Sequence, residues 1–232
     1  MVGGMPYGPL LFLLATLFGV LGGSLWADGH HWGAIFWYPA ASYALVAAGY
    51  LGLGGAWMLG KRRDGTRHWW GYVLAGPFLL FMFAGRKVLN LVAHREAAFD
   101  EVAPGVYVGR RLPVVDLPPG VDVVVDLTSE FAAPACVRTR EGRYVCLPTL
   151  DDSAPSARDL RAVLDQLADA EGPLYVHCAA GHGRSAMLAA TLLVRRGHAE
   201  DVDAAVALMQ RARPGVRLMP AQRRRARQAL GL

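Results

Sequence analysis

The sequence predicts an α/β domain, a mostly parallel sheet with helices on both faces, preceded by an all-α apolar region. Three observations predict it. First, charge is uneven: of 24 Lys and Arg and 19 Asp and Glu in 232 residues, seven and three precede Asp100, leaving 17 and 16 for the remainder. Second, the first 99 residues hold three long uncharged runs. Third, the last 133 alternate β-branched runs with helical stretches, the pattern of a sheet covered by helices. The chain is 53% hydrophobic and 19% charged, against about a quarter charged in an ordinary soluble domain. This excludes a wholly soluble protein and a disordered chain. Three cysteines, Cys136, Cys146 and Cys178, exclude a disulfide scaffold and show no metal-ligand spacing. The expected division is residues 1–99 as a membrane region with two or three transmembrane helices, and 100–232 as a soluble domain.

No charged side chain occurs before Asp28, and Leu10 to Trp26 is an apolar run of 17. Gly33 to Leu59 is an uncharged run of 27, and Trp69 to Gly85 one of 17 interrupted by Gly76-Pro77. A span needs about 17–25 apolar residues, so the second run predicts a span and the first another. Met1 to Pro9 lacks the basic start of a signal peptide. Trp26, Trp32, Trp57, Trp69 and Trp70 lie near run ends, as an aromatic belt would. Lys61, Arg62, Arg63 and Arg67 place their loop in the cytoplasm, yet Arg86, Lys87 and Arg95 beyond the third run ask for the same side. Both are satisfied if the third run dips into the bilayer and returns, or lies in the interface. Uniform apolarity of that run favours a true span instead. Leu89 to Phe99 reads as a helix leading into the soluble domain.

In that domain Val106 to Val108, Val121 to Leu127, Arg143 to Leu147 and Leu174 to His177 read as strands. Ser156 with Asp159 three residues on starts a helix through about Ala170. Arg184 to Arg196, Asp201 to Arg213 and Pro220 to Leu230 follow as helices, the first two closed by Gly197 and by Pro214-Gly215. Ligands of such sheets bind beyond the carboxyl ends of the strands.

One loop sits at such an end: His177-Cys178-Ala179-Ala180-Gly181-His182-Gly183-Arg184-Ser185. A buried strand delivers Cys178, and a helix begins near Arg184. Two glycines and two alanines between them let successive amide N–H groups turn inward as an anion nest at a helix N-terminus. Such a field lowers a thiol from about 8.5 to roughly 3.5–7.5. Arg184 offers a planar fork for two oxygens of a tetrahedral oxyanion. Nucleophile, cradle and clamp together are the parts of a phosphoryl-transfer site.

This loop resembles the signature of the protein tyrosine phosphatase superfamily in its dual-specificity branch, and the resemblance covers about Val102 to Leu230. Ala212 to Gln222 (ARPGVRLMPAQ) is similar to the segment that follows the signature, especially in members that hydrolyse phosphatidylglycerophosphate. Leu147 to Asp151 (LPTLD) resembles the loop that carries their general acid. The apolar N-terminal third resembles bacterial membrane proteins bearing this domain.

The resemblance implies a phosphoric monoester hydrolase with Cys178 as nucleophile, forming a thiophosphate. The amides of Ala179, Ala180, Gly181, His182, Gly183 and Arg184, with the Arg184 guanidinium, hold the phosphate. Asp151 is the general acid by its place in the pattern, with Asp152 as the alternative; an Asx turn before Pro155 is the competing role for either. Ser185 corresponds to the hydroxyl that helps the thiolate leave, or else caps the helix start. His177 supports the loop, and His182 occupies a variable position facing the substrate. No metal and no cofactor is implied. Asp126 and Glu130 follow a strand end, where they either line the cleft or serve as turn residues, the latter being preferred. Expected partners are the lipid bilayer and a phosphorylated protein or an anionic phospholipid, with no nucleic acid. Ala179, Ala180, His182 and Gly183 stand where lipid-directed relatives carry basic residues, which disfavours a polyphosphoinositide and leaves phosphatidylglycerophosphate open. The arginines from Arg211 to Arg227 suit an anionic surface. A reduced thiol places the domain on the cytoplasmic face, with a bacterial inner membrane as the expected location. An inactive phosphate-binding module is the alternative of another class.

Overall fold

The computed structural model describes residues 7–52, 55–92, 96–112, 116–170 and 172–232. The chain divides into two units, Met1–Lys61 with Arg67–Arg95, and Arg62–Thr66 with Glu96–Leu232.

In the first unit α1 (Tyr7–Ala27) has 21 residues, a length of about 30 Å, which matches the hydrocarbon core of a bilayer. Among the described residues it is the one helix long and apolar enough to cross a membrane. The second uncharged run is not one helix. A 3₁₀ turn at His31–Phe36, α2 (Trp37–Tyr50) and a 3₁₀ turn at Gly55–Leu59 divide it. Gly52, at φ +89°, takes a left-handed conformation just past the end of α2. Phe18 of α1 stacks on Phe36 and on Tyr43 of α2, with ring centroids 6.1 and 5.8 Å apart. The third run breaks where Gly76-Pro77 falls, into α3 (Trp69–Leu74) and α4 (Gly76–Val92). Pro77 sits in the first turn of α4, where its missing N–H costs nothing. Trp32, Trp57, Trp69 and Leu80 are exposed.

The second unit is built on a five-stranded sheet of order β1-β2-β5-β3-β4. The strands are β1 (Phe99–Ala103), β2 (Val106–Arg110), β3 (Val123–Thr128), β4 (Arg143–Thr149) and β5 (Leu174–Cys178). β1 and β2 form an antiparallel hairpin, and the other pairings are parallel. β1 replaces the end of the helix expected over Leu89 to Phe99. That helix, α4, stops at Val92, and residues 93–95 lie outside the described residues. Pro104-Gly105 is the turn that makes the hairpin, with Gly105 at φ +70° and its N–H donated to the Glu101 carboxylate at 2.9 Å.

Every residue of β3 and β5 is buried, as central strands must be. Along them Val123, Val125, Leu127, Leu174 and Val176 face one core, while Val124 and Tyr175 face the other. The first core is covered by α6 (Ala157–Ala168), α7 (Arg184–Arg195), α8 (Val202–Ala212) and α9 (Pro220–Leu230). The second face is covered more thinly, by Val137 of the four-residue helix α5 (Ala135–Arg138) and by Leu112 and Val121. The helical cover expected on both faces is therefore unequal. α6 and α8 start as their sequences predict. Ser156 Oγ accepts the Asp159 N–H at 3.0 Å, and Asp201 Oδ1 accepts that of Ala204 at 2.7 Å. Ten of the twelve α7 residues are buried, so this helix is fixed from its first turn, where it leaves the carboxyl end of β5.

Residues 62–66 belong to this unit although they lie upstream in sequence. Gly65 O accepts the Ala133 N–H at 2.9 Å, and Arg63 pairs with Asp159 at 2.9 Å. Gly65, at φ +80°, lies so close to Tyr144 that a Cβ there would stand 2.5 Å from the phenol oxygen.

Candidate active site

Cys178 ends β5 and Arg184 begins α7. The five residues between them must reverse direction around a small volume. Gly181 makes this possible on two counts. Its φ is +84°, and a Cβ would stand 2.4 Å from the main-chain carbon of Gly109. The Gly181 N–H points to Cys178 Sγ at 3.2 Å, and Ser185 Oγ lies 3.4 Å from the same sulfur. Ser185 is fully buried and faces the sulfur, rather than capping the helix start. His177 is buried, stacks on Tyr175 with centroids 5.6 Å apart, and sets Nδ1 3.4 Å from the Cys178 carbonyl. None of the three cysteines is in a disulfide; Cys178 and Cys146 are buried and Cys136 is exposed.

Arg184 is 1% exposed. Its Nη2 lies 2.7 Å from Glu130 Oε1 and 2.9 Å from Asp151 Oδ1; its Nη1 donates to Glu130 Oε2 and to the Thr149 carbonyl, both at 2.8 Å. Burial alone would lower the guanidinium, but Asp151 and Glu130 hold it well above its ordinary value. Arg184 Nε is buried with no protein partner, a donor left for an incoming oxyanion.

Glu130 is itself 2% exposed and pairs with Arg184, the less favoured of its two expected roles. The available signal was position: it follows a parallel strand at the sheet's carboxyl end, and a buried guanidinium requires a buried counter-charge. Asp126, also expected in a turn, lies within β3. Its carboxylate accepts from Thr128 N and Oγ1 at 2.7 Å each and from Tyr144 OH at 2.8 Å. The phenol of Tyr144 is raised far above its ordinary value by burial and then by the Asp126 charge.

Asp151 and Asp152 follow β4 in a turn closed by Ser153 N–H to Leu150 O at 3.2 Å. Within this turn Asp151 reaches Arg184, and Asp152 takes the left-handed conformation at φ +53°. Burial, then the adjacent Asp151 charge, raises the Asp152 carboxyl, against smaller opposing effects of Arg184 and Arg217. Gln222, fully buried, donates to Ser153 O and accepts from Met219 N, both at 3.0 Å. It ties this turn to the start of α9.

Arg213 also departs from the surface role expected of the arginine-rich tail. It is 1% exposed and lies behind the loop. Its Nε and Nη2 donate to the carbonyls of Gly181 and Ala180, and its Nη1 to those of Ala97 and to Asp100 Oδ2, at 2.8–3.0 Å. Carbonyls drawn outward leave the amides of the same peptides turned inward. Arg223 and Arg227 pair with Asp203.

A cysteine at the end of a parallel strand, a small-residue loop and a helix-start arginine with buried carboxylate partners define a phosphatase site of the protein tyrosine phosphatase class. Residues 114–229, half of the chain, match the family described as Swiss Army Knife protein, DSP-PTPase phosphatase domain, and the chain belongs to that dual-specificity family. It is 35% identical over 85 residues to the tyrosine-phosphatase-type protein 197R of Invertebrate iridescent virus 6, covering 32% of this chain and 31% of that protein. The chain thus spans under a third of that curated relative. Among solved structures it resembles Tk-PTP in its active form, with a TM-score of 0.50 and 20% identity over 57% of this chain and 95% of the other. It likewise resembles PTPMT1 in complex with PI(5)P, at 0.50 and 18%, over 57% and 94%. These two likenesses establish the fold.

Proposed function

We propose that the chain is a membrane-anchored, cysteine-dependent phosphatase that hydrolyses phosphomonoesters through a thiophosphate intermediate. The observation that carries this is the placement of Cys178 Sγ under the Gly181 N–H and beside Ser185 Oγ, with Arg184 fixed by Glu130 at the same loop. Cys178 attacks phosphorus, the S–P bond forms, and the bond to the leaving oxygen breaks. The amides from Ala179 to Arg184 and the Arg184 fork hold the equatorial oxygens. Asp151, within 2.9 Å of Arg184, gives its proton to the leaving oxygen. Water then attacks phosphorus, Asp151 takes its proton, and the S–P bond breaks with Ser185 donating a hydrogen bond to the departing thiolate. His177 supports the loop from beneath.

Asp152 is the second candidate for the acid, because burial and its neighbour's charge keep its proton to a higher pH. The substrate class is a phosphoprotein or a membrane phospholipid headgroup, phosphatidylglycerophosphate being the specific lipid alternative. The first helix, α1, anchors the chain, within an apolar region that the sequence divides into two or three spans. The catalytic unit lies on the cytoplasmic face. Two facts support this: none of its three cysteines is in a disulfide, and Arg62 and Arg63, which favour the cytoplasm, belong to the same unit as the catalytic loop.

The test uses the full chain in detergent micelles with p-nitrophenyl phosphate, phosphotyrosyl and phosphoseryl peptides, and phosphatidylglycerophosphate. Turnover lost in Cys178→Ser is the expected result, and the ranking of substrates assigns the class. A folded chain that turns over none of them, or whose turnover survives Cys178→Ser, is a phosphate-binding module and overturns the proposal.

A further inference from the structure

His182 is the one side chain longer than a methyl group between Cys178 and Arg184, and its ring is engaged. Its Nε2 lies 2.7 and 2.8 Å from the two carboxylate oxygens of Glu96. The pair is partly open to solvent, 32% and 38% by side chain. It is held in place from several directions. Arg217 N–H donates to the His182 carbonyl at 3.1 Å. A Cβ on Gly215 would stand 2.8 Å from His182 Nε2 and 3.1 Å from Glu96 Oε1, so a side chain there would push this pair aside. Arg213 Nη2 is 3.6 Å from Glu96 Oε1, but Arg213 also serves Asp100 at 2.8 Å. Two carboxylates thus face one guanidinium behind a loop that must receive a dianion, and the Glu96–His182 pair is the part of this cluster open to solvent at the loop's rim.

We infer that Glu96 is a specificity-determining residue that turns the site against phosphomonoesters carrying a second anionic group beside the reacting phosphate. The inference rests on the phosphatase reading above and deepens it. The amide of His182 faces the bound phosphate and its ring reaches Glu96. The carboxylate therefore stands on the order of 10 Å from phosphorus, about one Debye length at physiological salt. At that range it acts little on the buried reacting centre and strongly on whatever charge the substrate places at the rim. Engagement by Glu96 also withholds His182 from a second anion. The nearby cation Arg217 acts on Asp152. Rim charges of this kind alter encounter rate and partner choice more than chemistry. The favoured substrates are phosphomonoesters in neutral or cationic surroundings. A phosphopeptide with basic or neutral flanks fits this description, and a phosphate next to a phosphodiester or to acidic residues does not.

The test compares kcat/KM of the full chain for three phosphotyrosyl peptides that differ only in flanking residues: Glu-rich, Gln-rich and Lys-rich. The wild-type order is expected to be Lys-rich above Gln-rich above Glu-rich. In Glu96→Gln, which keeps a hydrogen-bond acceptor for His182, the ratio of Glu-rich to Gln-rich rates is expected to rise about fivefold, and the rise is expected to vanish near 1 M salt, where the Debye length is about 3 Å. Equal ratios in wild type and variant overturn the inference, as does a parallel fall for all three peptides, which marks Glu96 as merely structural. Failure of the phosphatase reading is distinct: no peptide would then be turned over by the wild type in a Cys178-dependent manner.

Discussion

Arg184 and Glu130 meet side on, Nη2 to Oε1 at 2.7 Å and Nη1 to Oε2 at 2.8 Å, with neither side chain more than 2% exposed. This fork-to-fork pair takes the Nη1–Nη2 edge of the guanidinium and leaves Nε, on its other edge, unpartnered. Glu130 therefore orients the clamp before substrate arrives. Removing one partner of a buried pair costs about 3–5 kcal/mol because a charge is left uncompensated. Glu130→Ala is expected to lose stability on that scale in a urea titration. Glu130→Gln, which keeps one acceptor, is expected to lose less stability and to lower kcat/KM for p-nitrophenyl phosphate about tenfold or more.

Cys178→Ser is expected to abolish turnover while leaving the fold intact, since the side chains are of similar size and Gly181 N–H retains an acceptor. In the wild type, iodoacetate is expected to alkylate Cys178 faster than iodoacetamide, because the loop attracts an anion before the sulfur reacts. Mass spectrometry of the modified chain checks both the site and the order of rates.

Asp151→Asn and Asp152→Asn separate the two carboxyls. Loss of a general acid costs about 10²–10⁴ in rate, and the loss is greatest for leaving groups that need the proton most. Asp151→Asn is expected to lower kcat for a phosphoseryl peptide in that range, with a smaller effect on p-nitrophenyl phosphate. The larger loss in Asp152→Asn would transfer the role to Asp152.

Asp152 also carries a stability signature. Its carboxyl is raised in the folded chain, so ionisation costs more folded than unfolded. The stability it contributes is complete below the unfolded value, near 3.8, and is lost as pH rises through the higher folded value. Asp152→Asn, whose residue also tolerates the left-handed conformation, is expected to raise Tm by a few degrees at pH 7 and not at pH 3. Thermal melts at the two pH values measure this.

Gly181→Ala is expected to be more damaging than any neighbouring loop substitution. A Cβ costs about 1–2 kcal/mol for the left-handed conformation alone and collides with Gly109 at 2.4 Å. Loss of phosphate-dependent stabilisation in a thermal shift assay, together with a lowered Tm, is the expected readout.

The proposed site was legible where it is local. His177 to Ser185 holds the proposed nucleophile, cradle and clamp in nine consecutive residues, and strand, loop and helix are each dictated by neighbours in sequence. The central strands were equally plain because burial on both faces leaves them short runs dominated by apolar residues. What did not show was what arrives from far along the chain. Glu130 is 54 residues from Arg184 and Arg213 is 113 from Asp100, and neither carries a local pattern. Phe99 to Ala103 escaped for a different reason: a five-residue edge strand with Asp100 and Glu101 in it lacks the apolar run of a central strand, and Pro104-Gly105 was its sole local sign.

The short upstream segment Arg62–Thr66 makes the phosphatase unit discontinuous along the gene. A single cut ahead of Glu96 would discard the carbonyl that receives Ala133 N–H and uncover the ring of Tyr144. A cut ahead of Ala98 would discard in addition two of the contacts that steady Arg213 behind the loop. Excision therefore has a built-in penalty, and a soluble version of this enzyme would need residues 62–66 grafted back through a designed linker.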